Sequence, residues 1–231
     1  LIDERDQSSH GRLVLKAIGL GALYMVVALV AQSIVQNLPA VIILSRTGFS
    51  TGTFSAAYLK AEIDNAILFP LFLGGIAGIA QEVSEYVAVD TMEKQYAIYI
   101  GAGFAVIDII FLIGETLVSG AGLPRFTIIL IGLNIILPFL LHPGTAAFMK
   151  WGRLMKRGVF ALAISILIHA GVDGGLVYTD IYVIVHPAAY HTSAEIYWAL
   201  AMGISVVIFL IGIRLLAAVR EEVTAEPPVV Y

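Results

Sequence analysis

The chain has 231 residues, 59% hydrophobic and 13% charged, with a formal net charge of −4 and no cysteine. A soluble domain carries about 25% charged residues, and one core of this size cannot shelter so much apolar surface from water, so the composition points to a lipid bilayer as solvent. The charge balance offers no basic patch for nucleic acid, and the lack of cysteine excludes disulfides, thiolate metal sites and cysteine nucleophiles.

A membrane span needs roughly 20 apolar residues, and about six segments qualify. The first runs over Leu13 to Ser33. Its length and the poor cleavage site at Leu29 to Ala31 mark it as a retained anchor, not a removed signal peptide. Asn37-Leu38-Pro39 is expected to break the helix. Residues 40–57 are ambiguous: Val41 to Leu44 is apolar but short, and Ser45 to Thr53 is rich in Ser, Thr and Gly. A re-entrant piece, a surface helix and a seventh short span all remain open there. The second span lies within Ile63 to Tyr86 and contains Pro70; the third covers Gln95 to Val118 and the fourth Phe126 to Phe148. The fifth covers Val159 to Val177 and the sixth Ala194 to Ala217. The expectation is an all-α, polytopic transmembrane helix bundle in one domain, residues 1–220, followed by a loose polar tail at 221–231.

Orientation follows from the basic residues. With the N-terminus inside, Arg5, Arg12, Lys16, Lys94, Lys150, Arg153, Lys156, Arg157, Arg214 and Arg220 fall on the cytoplasmic side. Arg46, Lys60 and Arg125 fall outside. This predicts a multi-pass protein of the cell membrane with both termini cytoplasmic. Tyr178, Tyr182, Tyr190, Tyr197 and Trp198 cluster at the opposite side, as an aromatic belt does.

Function has to be sought in the ionisable residues, because each one placed in hydrocarbon costs several kcal/mol unless paired or hydrated. Glu82 and Glu85 or Tyr86 share a helix face after the Gly-rich run 74–78, and these carboxylates either enter the bundle or end the span in water. Asp108 sits mid-span with long apolar flanks, so it must be protonated, paired or facing water; Glu115 lies near the outer boundary. His142 precedes Pro143-Gly144, which loosens the helix beside the ring. His169 and Asp173, four apart, share one face and suit either a metal ligand with its orienting carboxylate or a buried pair locking two helices. His186 and His191 are placed in the outer loop, exposed and without a role.

Glu82, Asp108, His142 and His169 come from four spans at overlapping depth, so the chain is expected to converge them on one site. Two histidines and a carboxylate can hold zinc and leave a position for water, which implies hydrolysis of a bond in or near the lipid phase.

The same residues resemble the YhfC family of intramembrane metalloproteases, related to PrsW and to the CAAX-protease group. That family's pattern is an EExxRY-like motif after a Gly-rich helix, a GHGxxE-like motif, a lone His in the next span, then HxxxD. Here the order is Gln81-Glu82-Val83-Ser84-Glu85-Tyr86, Gly101 to Asp108, His142, and His169 to Asp173. Gln81 stands at the first Glu of the pair, Glu85 at the basic position, Phe104 at the His of the second motif and Asp108 at its Glu. The resemblance implies a zinc site with His142, His169 and Glu82 as ligands, and Glu82, Asp108 and Asp173 as residues acting on water or orienting a ligand. It also implies a transmembrane peptide as substrate. Gln81 cannot take up a proton, and Glu85 cannot replace an arginine, so a degenerate, non-catalytic member serving as a subunit of a larger membrane complex is a competing expectation. A small transporter lined by Asp108, His142 and His169 is a third.

Overall fold

The computed structural model describes residues 4–48, 50–119 and 125–219, the side chains of 4–9 and 115–130 excepted. The side chains of Arg5, Glu115 and Arg125, together with Arg220 and the tail at 221–231, therefore carry expectations that fall outside what is described. Among the described residues the chain is helical with no strand. Its helices are α1 (Glu4–Gln36), α2 (Leu38–Arg46), α3 (Thr51–Asp64), α4 (Leu68–Asp90), α5 (Ala97–Ser119), α6 (Arg125–Leu154), α7 (Gly158–Val185) and α8 (Tyr190–Ala218).

Five helical stretches are long and apolar enough to cross a membrane: His10–Arg46, Lys94–Gly114, Ile131–Leu154, Gly158–Val185 and Pro187–Ala218. A sixth is counted if α3 and α4, bent by 93° at their junction, form one broken span. The fold is thus an all-α transmembrane helix bundle. Leucines, isoleucines and valines such as Leu15, Leu23, Ile34, Leu71, Leu167 and Leu210 are exposed on its outside, which hydrocarbon tolerates and water does not.

One local expectation changes and one open stretch gains a structure. The break at Asn37-Leu38-Pro39 is one residue wide: Asn37 keeps right-handed helical angles and Pro39 sits in the first turn of α2, where its missing N–H would lack a partner anyway. Val41 N–H still bonds Asn37 C=O at 3.0 Å, so α2 prolongs α1. The ambiguous stretch that follows divides between α2 and α3. Helix α3 has no buried residue and carries an exposed Lys60–Asp64 pair at 2.6 Å, so it stands largely clear of the bundle, and its 93° bend to α4 fits a broken span or a re-entrant turn.

Neighbouring helices run in the directions that a six-pass chain requires. Gln32 meets Gln81 and Gln36 meets Leu73, so α1 and α4 are antiparallel. Gly74 faces Gly174 while Gly78 faces Ile166 and Ala170, so α4 and α7 are antiparallel as well. Helix α6 is central, buried without interruption from Leu141 to Lys150 although Pro138 and Pro143 lie within it. Small residues set the spacing. A methyl on Gly101 would lie 2.6 Å from the His142 carbonyl and from the Pro143 backbone, so only glycine lets α5 rest against α6 there.

At the opposite end of the bundle from α3, Lys150 reaches back to the end of α4. Its ammonium donates to the Val89 carbonyl at 3.0 Å and the Met92 carbonyl at 2.5 Å, satisfying groups that helix termination leaves without donors. Lys150→Met keeps the stem and removes these bonds. It is expected to cost ~1.5–3 kcal/mol, read as a lower unfolding midpoint in detergent; an unchanged midpoint would show that the cap contributes nothing.

Candidate metal centre

Three helices deliver side chains to one place in the middle of the bundle. Glu82 comes from α4, His142 from α6 and His169 from α7, and one ligand atom of each lies within 4.8 Å of the other two. All are buried: Glu82 is 0%, His142 1% and His169 2% exposed. The imidazole rings of His142 and His169 have centroids 5.3 Å apart. The open question for Glu82, interior or wet boundary, is answered by its full burial.

His169 is held at both ring nitrogens. Nδ1 lies 2.7 Å from Glu82 Oε1, a hydrogen bond, and Nε2 lies 3.5 Å from Asp173 Oδ2 one turn along the same helix. His142 is held at neither. Its Nδ1 is 3.8 Å from Glu85 Oε1 and its Nε2 is 3.8 Å from Asp108 Oδ2, both beyond hydrogen-bond distance. Phe104 covers one side of the ring, with centroids 5.6 Å apart. Gly101, Phe104 and Asp108 fall on one face of α5, so the close approach at Gly101 is what sets Asp108 beside His142.

Glu85 belongs to the site as well, although its motif position points elsewhere. It is 0% exposed and accepts a 2.7 Å hydrogen bond from the Thr145 hydroxyl, one turn after His142. Its spacing of three from Glu82 gave the signal, since both must share a face. Thr145 gave none.

The centre is acidic and incompletely bonded. Among the described residues, the basic side chains that Glu82, Glu85, Asp108 and Asp173 meet are the two histidines. Glu82 Oε2, Glu85 Oε1 and both nitrogens of His142 have no hydrogen-bond partner. Buried polar atoms are nearly always satisfied, and ionised carboxylates in a low-dielectric interior need positive charge or a proton. A divalent cation would supply both the missing charge and the missing partners. Carboxylate oxygen with two imidazole nitrogens is a zinc donor set. Ligand atoms around tetrahedral zinc stand about 3.3 Å apart for bonds of ~2.0–2.1 Å, so the 2.7 Å Glu82–His169 pair would open slightly and His142 would close in.

Asp108 and Asp173 are different in setting. Their side chains are 32% and 37% exposed, and both line a cavity of about 330 Å³ beside the centre. Gln32, Gln36, Gln81, Asn134, Tyr197 and Trp198 line it too. These positions lie toward the same end of the bundle, the one where α1 finishes and α8 begins. Asp108 therefore lines a cavity whose walls mix polar side chains with apolar ones such as Phe111 and Leu137. His186 and His191 are exposed, as expected.

Comparison of this chain with protein families, with curated proteins and with solved structures gives no match.

Proposed function

We propose that the chain is a metal-dependent hydrolase of the membrane interior, of the protease-like kind that its motif order resembles, with Glu82, His142 and His169 holding a zinc ion. One observation carries this: a carboxylate and two imidazoles from three helices are fully buried within ligand distance of one another, with donor atoms left unpartnered. Bound zinc acidifies water and polarises a carbonyl. The chain's own residues divide the remaining work. Asp173 accepts from His169 Nε2 and so leaves Nδ1 as the ligand atom. Asp108 and Glu85 flank His142, and Thr145 fixes the Glu85 carboxylate. The cavity beside Asp108 and Asp173 admits water and substrate from one membrane face; if the basic residues mark the cytoplasm, that face is the outer one.

A scaffold would offer its Gly-rich faces around residues 74–78, 101–103 and 171–175 to partner helices, but these are largely engaged within the chain. Gly74 and Gly78 take α7, Gly101 takes α6 and Gly103 takes α1, whereas Gly75 and Gly171 meet nothing. This favours the catalytic reading over a purely scaffolding one.

The test is cleavage of a fluorogenic membrane-spanning peptide by the purified protein in liposomes. Cleavage is expected to stop on chelation, to return with zinc and to be lost in Glu82→Gln. Cleavage that ignores chelation, or no cleavage by zinc-loaded protein, would overturn the reading. Asp173→Asn is a milder change: zinc affinity is expected to fall about 10–100-fold, measured by competition with a fluorescent chelator, and an unaltered affinity would remove Asp173 from the site.

A further inference from the structure

One wall of the cavity is a directional chain of side-chain amides. The main-chain carbonyl of Leu73 can only accept, so the Gln36 group 2.7 Å from it is Nε2. Gln36 Oε1 is then left to accept from Gln32 Nε2 at 3.1 Å, and Gln32 Oε1 accepts from Gln81 Nε2 at 2.9 Å. A single backbone carbonyl thus fixes the orientation of three amides, and the chain ends in Gln81 Oε1. That oxygen has no partner, although Gln81 is only 3% exposed and lines the cavity. Hydrogen-bonded amides polarise one another, so the terminal carbonyl is a stronger acceptor than an isolated one. A buried acceptor without a donor is a standing cost that a ligand's N–H or O–H relieves.

The rest of the lining narrows the ligand. Asp108 and Asp173 add acceptors, and the Tyr197 hydroxyl is already engaged with the Val172 carbonyl at 3.3 Å. Such a space suits N–H donors and repels phosphate, while Leu29, Phe111, Leu137 and Leu176 in the same lining give apolar side chains a place to rest. Its volume of about 330 Å³ is at the small end for ligand pockets, enough for a short extended segment.

We propose that Gln81 positions substrate: its side-chain carbonyl accepts a backbone N–H of an extended peptide segment lodged in the cavity. The identity of the ligand as peptide rests on the hydrolase reading; the need for a donor rests on the amide chain alone. Gln81 would then be a binding residue, at the position where the resembled family has a carboxylate.

The native chain has no cysteine, so a single introduced thiol reports on the cavity without background and without needing metal or activity. Leu176→Cys and Leu29→Cys place one on the lining. A water-soluble maleimide is expected to label both. An N-acetyl-dileucine methylamide probe is expected to slow that labelling, and its backbone N-methylated counterpart to be about fivefold weaker or worse. Gln81→Met, similar in shape, is expected to abolish the difference between the two probes, and Gln36→Met, which removes the far end of the amide chain, to reduce it. Equal protection by both probes, protection by neither, a difference that survives Gln81→Met, or no labelling at either position would each overturn the proposal. Zinc retention is measured separately, so a failure here leaves the metal centre standing, and loss of the metal centre leaves this result intact.

Discussion

Gly74→Leu is expected to prevent α4 and α7 from closing on each other and to lower stability by about 3 kcal/mol or more. A methyl carbon at residue 74 would lie 2.4 Å from the Ala170 carbonyl oxygen and 2.5 and 2.7 Å from the Gly174 backbone. No side-chain rotation relieves a collision with backbone, so the helices must separate. Separation carries Glu82 away from His169 and breaks their 2.7 Å hydrogen bond. The loss of stability and the loss of the site should therefore appear together in one variant. Gly75→Ala, on the adjacent face of α4, is the control. Nothing lies within 4 Å of a methyl at that position, so an effect within about 0.5 kcal/mol is expected. Unfolding midpoints of both variants in the same detergent decide the matter. Equal midpoints would mean that the α4–α7 contact is not as close as described.

His142→Ala is expected to reduce zinc affinity by about 100-fold or more. His142 has no other hydrogen-bonded role for its ring nitrogens to fall back on. It is the only member of the triad with both ligand atoms uncommitted, since His169 and Glu82 are already bonded to each other. Without it, His169, Glu82 and Asp173 form a hydrogen-bonded cluster that needs no metal. The cavity left by the ring, between Phe104 and His169, would cost stability too, so the comparison should include His142→Gln, which fills the space and offers a weaker ligand. Zinc affinity that stays within twofold of the native value in both variants would place the metal elsewhere or nowhere.

Much of the fold is legible because lipid imposes it. Runs of about 20 apolar residues have few alternatives to a span, and α5, α7 and α8 begin within one to four residues of where their apolar runs do. Where the sequence misleads or leaves a choice open, the causes are local. Pro39 looks like a stop signal, but the first turn of a helix tolerates proline, and only the position of the preceding turn decides which applies. Thr51 to Asp64 carries no strong apolar face, so nothing in its pattern distinguishes a helix on the end of the bundle from a re-entrant loop.

The site was legible to the extent that its residues are costly to place in lipid. His169 and Asp173 announce themselves by spacing within one helix. Glu82 and His142 do so only through equal depth in separate spans, which fixes height but not direction. Glu85 was obscured by its motif position, which suggested the role of an arginine it could not fill, although its spacing from Glu82 already required a shared face. Gln32 and Gln36 were not visible at all. Neutral amides in an apolar run cost too little to stand out, and their orientation depends on the Leu73 carbonyl of another helix.

The central claim is that Glu82, His142 and His169 hold a metal. It is tested most directly by elemental analysis of the native protein, purified without chelator in mild detergent and dialysed against trace zinc. About one zinc per chain is expected, falling to background in the His142→Ala, His169→Ala double variant while the protein remains folded. No bound metal in the native protein, or equal metal in the folded double variant, would contradict it.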